Sequence, residues 1–375
     1  MGKAFLYGCA TSAHQVEGGN INNDWWEFEQ SGLIFDGSSS NPSCDHYHRY
    51  ASDLDLLKGI GGNAYRFSIE WSRIQPVSSE FSQEEIDHYH QVLDALIKRG
   101  ITPLITLHHF TNPLWLSKIG GWANPKLVDY FGQYVQKVVD EYGEKLNRST
   151  GQTEPIYFVT LNEPSVYLLL GYLIEYWPPQ KKSLIGLIKA FRNMSRAHKL
   201  AYEIIHKKLP NAKVSIAHHM SVLDPWRNNG LDNIAAKVYD WLWNQSFLNQ
   251  VGDKLDYIGL NYYTRQRVAF PLKVFPTPGK EAGFAQWEIY PEGLLRILRR
   301  LKLYKLPVII TEYGMPQEAN IAPEKYLEQG IAYLKQAMSE GIDVRGFFYW
   351  SLLDNFEWRE GLSKRFGLYE VDYEN

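Results

Sequence analysis

Cysteine is scarce: Cys9 and Cys44 are the only two in 375 residues. Two thiols cannot build a disulfide framework or a cysteine-based zinc site, so a reducing compartment is the expectation. Net charge is small as well, −3 with a pI near 6.4. A nucleic acid or an anionic membrane would favour a basic surface, so neither is an expected partner. No run of about 18 apolar residues is present to span a bilayer. The opening Met1-Gly2-Lys3, followed by Phe5-Leu6-Tyr7, is too short an apolar stretch for a signal peptide, which makes a cytoplasmic location the expectation. No glycine-rich phosphate turn follows the first apolar run and no signature recurs at a fixed period, which disfavours a dinucleotide-binding sheet and a solenoid. His108 and His109 are adjacent, diverge at a strand end and lack further ligands, so neither a metal site nor a cofactor is expected.

What the chain has in quantity is aromatic surface, with 12 Trp and 25 Tyr. Such side chains suit a cleft that stacks on sugar rings and equally suit an ordinary core. It also has order. Short β-branched or apolar runs at 4–10, 63–69, 102–107, 156–161, 214–218, 256–261, 307–311 and 344–350 read as strands. Helical patterns lie between them at 46–58, 82–99, 125–142, 184–208, 232–249, 291–301 and 323–340. Ser82 and Glu85 have capping-box spacing, and Leu127, Phe131, Tyr134 and Val138 form a helical stripe. Proline and glycine make 265–289 read mostly as loop. Eight strands alternating with helices describe an α/β fold, a single (β/α)8 TIM barrel over residues 1–375, with every polar cluster just past a strand's carboxyl end.

Two runs end alike. Pro307-Val308-Ile309-Ile310-Thr311 leads to Glu312, Tyr313 and Gly314, and the run at 156–161 leads to Asn162, Glu163 and Pro164. A carboxylate at a buried strand end must be paired or hydrogen-bonded, so each glutamate is either an ion-pair member or a catalytic group. In an eight-stranded barrel, strands four and seven face each other across the mouth. Opposed carboxylates about 5 to 5.5 Å apart are what a retaining glycosidase uses. Arg66, set among Ala64, Tyr65 and Phe67, keeps its charge and should face a carboxylate, with a core salt bridge as the alternative. Gln15, His109, Asn162 and Glu357 are hydrogen-bonding groups suited to sugar hydroxyls, and Trp350 and Trp358 offer flat faces. Asn162 as a local backbone cap and Trp350 as plain core are the bland counterparts.

Taken together, these residues resemble glycoside hydrolase family 1, the β-glucosidase and β-galactosidase family of retaining TIM-barrel enzymes. Thr160-Leu161-Asn162-Glu163-Pro164 is similar to its acid/base motif, and Ile310-Thr311-Glu312-Tyr313-Gly314 to its nucleophile motif, with Tyr313 where Asn is commoner. The resemblance implies Glu163 as acid/base and Glu312 as nucleophile. It implies Arg66 as support for the nucleophile through the Tyr65-to-Ile74 segment, and Gln15 on sugar hydroxyls through the Ala10-to-Gly18 segment. Leu107-His108-His109-Phe110-Thr111-Asn112-Pro113 places His109 as the substrate-binding histidine, with Phe110 and Thr111 resembling an archaeal-type branch. Asn261 and Tyr263 match an Asn-Tyr-Tyr element whose last tyrosine hydrogen-bonds the nucleophile, and Trp350, Glu357 and Trp358 match the carboxyl-terminal sugar-binding segment. Members acting on 6-phosphorylated glycosides place Ser at Glu357 and Tyr at Phe366 beside a lysine like Lys364; only the lysine is present, so a non-phosphorylated sugar is expected. The implied activity is a retaining exo-β-glycosidase acting on small-molecule or oligosaccharide β-glycosides of gluco, galacto or fuco configuration. A transglycosylase and a catalytically weak carbohydrate-binding barrel are the alternatives, and oligomeric state is left open. Loops after Trp177 and around 265–289 read as trimmed, leaving the leaving-group side of the cleft open.

Overall fold

The computed structural model describes residues 5–149, 155–275, 287–317 and 321–374. Eight parallel strands form a closed barrel: β1 (Leu6–Ala10), β2 (Ala64–Ser68), β3 (Thr102–Thr106), β4 (Tyr157–Asn162), β5 (Lys213–Pro225), β6 (Ile258–Ala269), β7 (Val308–Tyr313) and β8 (Val344–Trp350). Each pairs with its neighbour in sequence, β1 with β8 completes the ring, and β6 pairs with both β5 and β7. This is the expected TIM barrel. Strands that are buried on both faces should run continuously apolar, and β2, β4 and β7 are buried at every position.

Two packed layers result. Inside the barrel sit Leu6, Ala64, Leu104, Val159, Ile309 and Phe348. Outside it, between strands and helices, a larger apolar layer includes Leu127, Phe131, Tyr134 and Val138 of the Lys126–Ser149 helix. That helix runs past the expected end at 142 because Leu146 continues the buried stripe. The Gln83–Lys98 helix begins as its spacing predicts, with Ser82 Oγ accepting from Glu85 N–H at 3.4 Å. The reciprocal half of the capping box is absent: Ser82 N–H donates to Ile74 O, and the Glu85 carboxylate takes Arg73 and Tyr47 instead.

Three stretches differ from the sequence expectation. The polar segment after β1, whose amides, glycines and tryptophans read as a loop in the sequence, contains helices Ala13–Val16 and Asp24–Gln30. The expected helix 232–249 is divided into Gly230–Asp240, a π-helical turn Trp241–Gln245, and Ser246–Val251. Asn244, buried in that turn, donates to Ser221 O at 2.9 Å and accepts from Ser221 N–H at 3.1 Å, so a side chain bonded to β5 accompanies the widened turn. The third difference is at 265–289. There β6 continues to Ala269 alongside β5, then turns back as an antiparallel strand Lys273–Phe275, and Glu288–Ile289 pairs with Thr264 and Arg265. Backbone partners distant in sequence satisfy this polar segment, a pairing that local propensity does not report. Residues 276–286, with Pro276, Pro278 and Gly279, lie outside the described residues.

Two glycines have a definite steric role. A Cβ on Gly314 would lie 2.1 Å from Trp350 O, so the close approach of the chain after β7 to the end of β8 requires glycine. A Cβ on Gly330 would lie 2.4 Å from the Tyr313 ring. Tyr313 thus fills a slot beneath the helix Pro323–Ser339, its ring stacked 4.6 Å from Tyr326, facing away from the cleft.

Candidate active site

The carboxyl ends of the strands carry the site. Glu163 follows β4 directly, in the left-handed region at φ 43°, and caps the helix Pro164–Tyr172 whose first residue is a proline. Phe110 (φ 72°) and Trp358 (φ 50°) share that uncommon conformation. All three residues line one cavity of about 340 Å³ together with Glu312, His109, Asn162, Trp350 and Glu357. Strained backbone of this kind persists where surrounding contacts over-determine it, a pattern that clusters at functional sites.

Glu312, near the end of β7, is held on both oxygens. The fully buried Arg66 guanidinium pairs with Oε1, and Tyr263 O–H donates to Oε2 at 2.5 Å. Arg66 is itself fixed in place, donating to Thr106 Oγ1 at 3.1 Å and Asn162 Oδ1 at 2.6 Å. Asn261 Nδ2 donates to Glu163 Oε1 at 2.8 Å and reaches Asn162 Oδ1 at 3.2 Å, while its own oxygen accepts from Thr311 at 2.6 Å. Asn162 therefore faces the cleft network, and its Nδ2 lies 3.1 Å from His109 Nε2. An amide donor there makes Nε2 the acceptor and leaves the proton on His109 Nδ1, which is buried with no partner of its own. Burial, followed by the charge of Arg66, holds this imidazole well below its ordinary value, so it is neutral. His108 turns away, bonding Asn112 at 3.1 Å.

Chain ends close the other wall. Gln15 Nε2 donates to Asn355 Oδ1 at 3.0 Å, Phe356 O at 2.9 Å and Glu357 Oε2 at 3.3 Å, and Ser12 donates to Gln15 Oε1 at 2.7 Å. Trp350 stacks 5.8 Å from His109, and Trp358 packs among Trp25, Phe110 and Trp177. Every residue proposed from sequence thus falls in one connected constellation, either lining the cavity or bonded to a residue that does.

The cleft also contains residues that the sequence reading passed over. His219, two residues beyond Ala217 on the inward face of β5, lies 3.3 Å from Glu163 Oε1 through Nδ1 and 3.1 Å from Ser221 Oγ through Nε2. Its ring stacks near Tyr263. Period-two alternation would have pointed inward at 219 had the strand not been ended at 218. Tyr239, Trp243, Gln266 and Trp287 line the same side, and their positions follow from the π turn and the extended β6.

Four carboxyls line this space, Glu163, Glu312, Glu357 and Glu360. Burial lifts Glu357 to about 8 and Glu312 to about 7, with neighbouring carboxylates adding to the rise and Arg66 opposing it at Glu312. Burial also works to raise Glu163, yet the charge and hydrogen bond of His219, with Asn261 and Arg66, outweigh it and hold this carboxyl below its ordinary range. Burial and the charge of Glu312 by themselves would keep the proton on Glu163, and the interaction with His219 opposes them. The Coulombic part of its effect needs a charged imidazole; a neutral one leaves only a hydrogen bond. At Glu312 the permanent cation Arg66 favours the ionised form, against burial and the charge of Glu163. Among the described residues no group of three His, Cys, Asp or Glu side chains could hold a metal ion, and no helix is long and apolar enough to cross a membrane.

Comparison with known proteins agrees with this geometry. The model of glycosyl hydrolase family 1 matches residues 1–253 and 245–375. β-Glucosidase A of Thermotoga maritima is 31% identical over 99% of this chain and 93% of its own length. A β-glycosidase from Pyrococcus horikoshii superposes with a TM-score of 0.90 at 36% identity, covering 100% of this chain and 90% of that one. The Thermotoga maritima β-glucosidase in complex with glucoimidazole superposes with a TM-score of 0.91 at 29% identity, covering 99% and 94%.

Proposed function

The chain belongs to glycosyl hydrolase family 1, and we propose that it is a retaining exo-acting β-glycosidase, foremost a β-glucosidase, that cleaves non-phosphorylated β-glycosides by double displacement. The observation that carries this reading is the pair Glu163 and Glu312, at the ends of β4 and β7 and lining one cavity. Their environments are unlike: only Glu312 has a guanidinium directly on it, with a phenol on its second oxygen.

In the first step a Glu312 carboxylate oxygen attacks the anomeric carbon. Glu163 gives its proton to the glycosidic oxygen, the bond from that carbon to the leaving group breaks, and the leaving group departs as an alcohol. Glu163 is then a carboxylate beside a neutral glycosyl ester. It takes a proton from water as the water oxygen attacks the anomeric carbon, and the ester bond to Glu312 breaks. Two inversions leave the β configuration. Gln15, His109, Asn162 and Glu357 hold the sugar hydroxyls, Trp350 and Trp358 supply its flat walls, and Arg66, Asn261 and Tyr263 position the carboxyls. A phosphorylated sugar would bring further negative charge into a cavity lined by four carboxyls, Glu163, Glu312, Glu357 and Glu360, against one guanidinium, Arg359, which supports a plain glycoside; galactosides and fucosides are further substrates in this reading.

The test is hydrolysis of p-nitrophenyl β-D-glucoside followed by proton NMR at early times. β-Glucose should appear first, with the α anomer growing only by mutarotation. Initial release of the α anomer, or no hydrolysis of any β-glycoside in a gluco, galacto and fuco panel, overturns the proposal.

A further inference from the structure

Tyr263, whose hydroxyl donates to Glu312 Oε2, stands where the pairing of its strand is interrupted. The ladder of β6 with β7 ends at Tyr262 and Tyr313. Against β5 the register slips: Met220 pairs with Tyr262 and Val222 with Arg265, so β6 takes three steps where β5 takes two. A bulge of this kind disrupts the ladder locally, re-aims a side chain and is over-represented beside active sites. At this bulge the Tyr263 backbone carbonyl accepts from Tyr326 Oη at 3.2 Å.

Tyr326 lies near the start of the helix Pro323–Ser339 and is fully buried. Its ring is stacked on that of Tyr313, and Tyr313 Oη donates to Tyr326 O at 3.1 Å. Tyr313 follows Glu312 directly in β7, so the contacts form a closed circuit: Glu312 to Tyr313 along the chain, then Tyr326, Tyr263 and Glu312 again. A buried phenol needs an acceptor somewhere, and any backbone carbonyl would satisfy it. What singles out Tyr326 is which carbonyl it holds. The Tyr263 ring packs against Trp287 at 4.9 Å and His219 at 5.8 Å, contacts that limit its tilt, while the reach of its hydroxyl follows from the backbone. A hydrogen bond to a carboxylate weakens steeply once its distance and angle are lost, so a shift of that backbone reaches Glu312.

We propose that Tyr326 is a positioning residue for the nucleophile: by holding the backbone of Tyr263 at the β6 bulge it keeps the Tyr263 hydroxyl on Glu312, and Tyr313 keeps Tyr326 in its seat. This rests on the reading of Glu312 as the nucleophile of a retaining β-glycosidase. The charged or titratable groups that face Glu312 and its phenol are Arg66 on β2, Glu163 after β4, His219 on β5 and Glu357 after β8. Burial, the largest influence, raises Glu312 to about 7, and the Tyr263 bond is among the contacts that lower it. A bond to the ionised form favours that form, so loosening it raises Glu312 further and removes the carboxylate at higher pH.

The experiment is a double-mutant cycle on hydrolysis of p-nitrophenyl β-D-glucoside, read as kcat, KM and the pH profile of kcat/KM. Tyr326→Phe keeps the ring and its stacking and removes one hydroxyl. Its kcat should fall about three- to tenfold, the worth of one hydrogen bond, with KM changed by less than about twofold. The acid limb of kcat/KM, set by ionisation of Glu312, should move to higher pH. Tyr263→Phe, which removes the bond to Glu312 itself, should move the same limb at least as far. Adding Tyr326→Phe to Tyr263→Phe should then change kcat by less than about twofold, because the path it acts through is already gone. Tyr313→Phe, one contact further out, should shift the limb in the same direction by less, and it carries the test should Tyr326→Phe not fold. A lowered melting temperature with an unmoved acid limb, or losses that multiply in the double variant, overturns the positioning role while leaving the glycosidase reading intact. No hydrolysis by the wild-type protein overturns that reading, and the inference with it.

Discussion

The two halves of the cleft are built by different means. On the sugar side, Gln15, Asn162, His109, Glu357 and Arg66 are tied to one another or to the backbone by short hydrogen bonds, so each presents its remaining valences in a fixed direction. On the leaving-group side the walls among the described residues include Leu169, Leu170, Ile174, Trp243 and Trp287. Directional bonds discriminate between sugar isomers because a misplaced hydroxyl leaves a buried group unpaired, whereas an apolar wall discriminates weakly between shapes and mainly rewards area. On the function proposed, selectivity for the sugar and tolerance for the aglycone coexist in one cavity, with the two carboxyls at the boundary.

That contrast can be broken or sharpened by substitution. The largest effect is expected at the boundary itself. Glu312→Gly should lose at least about 10⁴-fold in kcat, in line with removal of a nucleophile, and azide should restore turnover as an α-glycosyl azide. Glu163→Ala should lose about 10² to 10⁴-fold, most with poor leaving groups, and azide should yield the β product. Near-normal activity of either variant without azide would remove that residue from its role.

Next in size is the sugar side. Glu357→Gln, which keeps the shape and removes the charge, should reduce kcat/KM by about 10 to 200-fold and do so equally for aryl, alkyl and sugar leaving groups. A loss confined to one class of leaving group would show that the halves are not separate. On the wild-type enzyme, p-nitrophenyl 6-phospho-β-D-glucoside should be the poorer substrate by at least about tenfold; a preference for it would sink the argument from the clustered carboxyls.

The smallest expected effect concerns proton placement. His219→Phe keeps a ring against Tyr263 and removes the imidazole interaction that holds Glu163 low. The folded-state value of Glu163 then rises, so its protonated form persists to higher pH. The alkaline limb of the kcat/KM profile should move upward. An unmoved limb, or one displaced to lower pH, would detach His219 from the acid.

Much of this could be read in the chain before folding was considered. Strand-end position placed Glu163 and Glu312 opposite each other, and the eight-strand count placed Arg66 on the ring with them. Gln15 and Glu357, 342 residues apart, meet because β1 pairs with β8. Tyr313, the departure from the usual motif, turns out to be a packing residue whose space depends on Gly330, a partner in the next helix. The residues that escaped notice, His219, Tyr239, Trp243 and Trp287, stand on elements whose boundaries depend on distant backbone partners. β5 and β6 run on because they pair with each other, and the π turn accompanies Asn244 reaching across to Ser221.

By itself, the sequence determined the barrel and the chemical inventory at its mouth. Alternation, capping and strand-end position are local properties, and in a closed parallel ring local order along the chain is also order in space. Tertiary structure alone decided where the proton rests and what the leaving group meets. Both depend on which side chains from different strands come within a few ångströms in a medium that screens charge poorly. There the imidazole of His219 holds Glu163 low while burial lifts Glu312 against the guanidinium of Arg66, which makes two glutamates from similar strand ends into different acids.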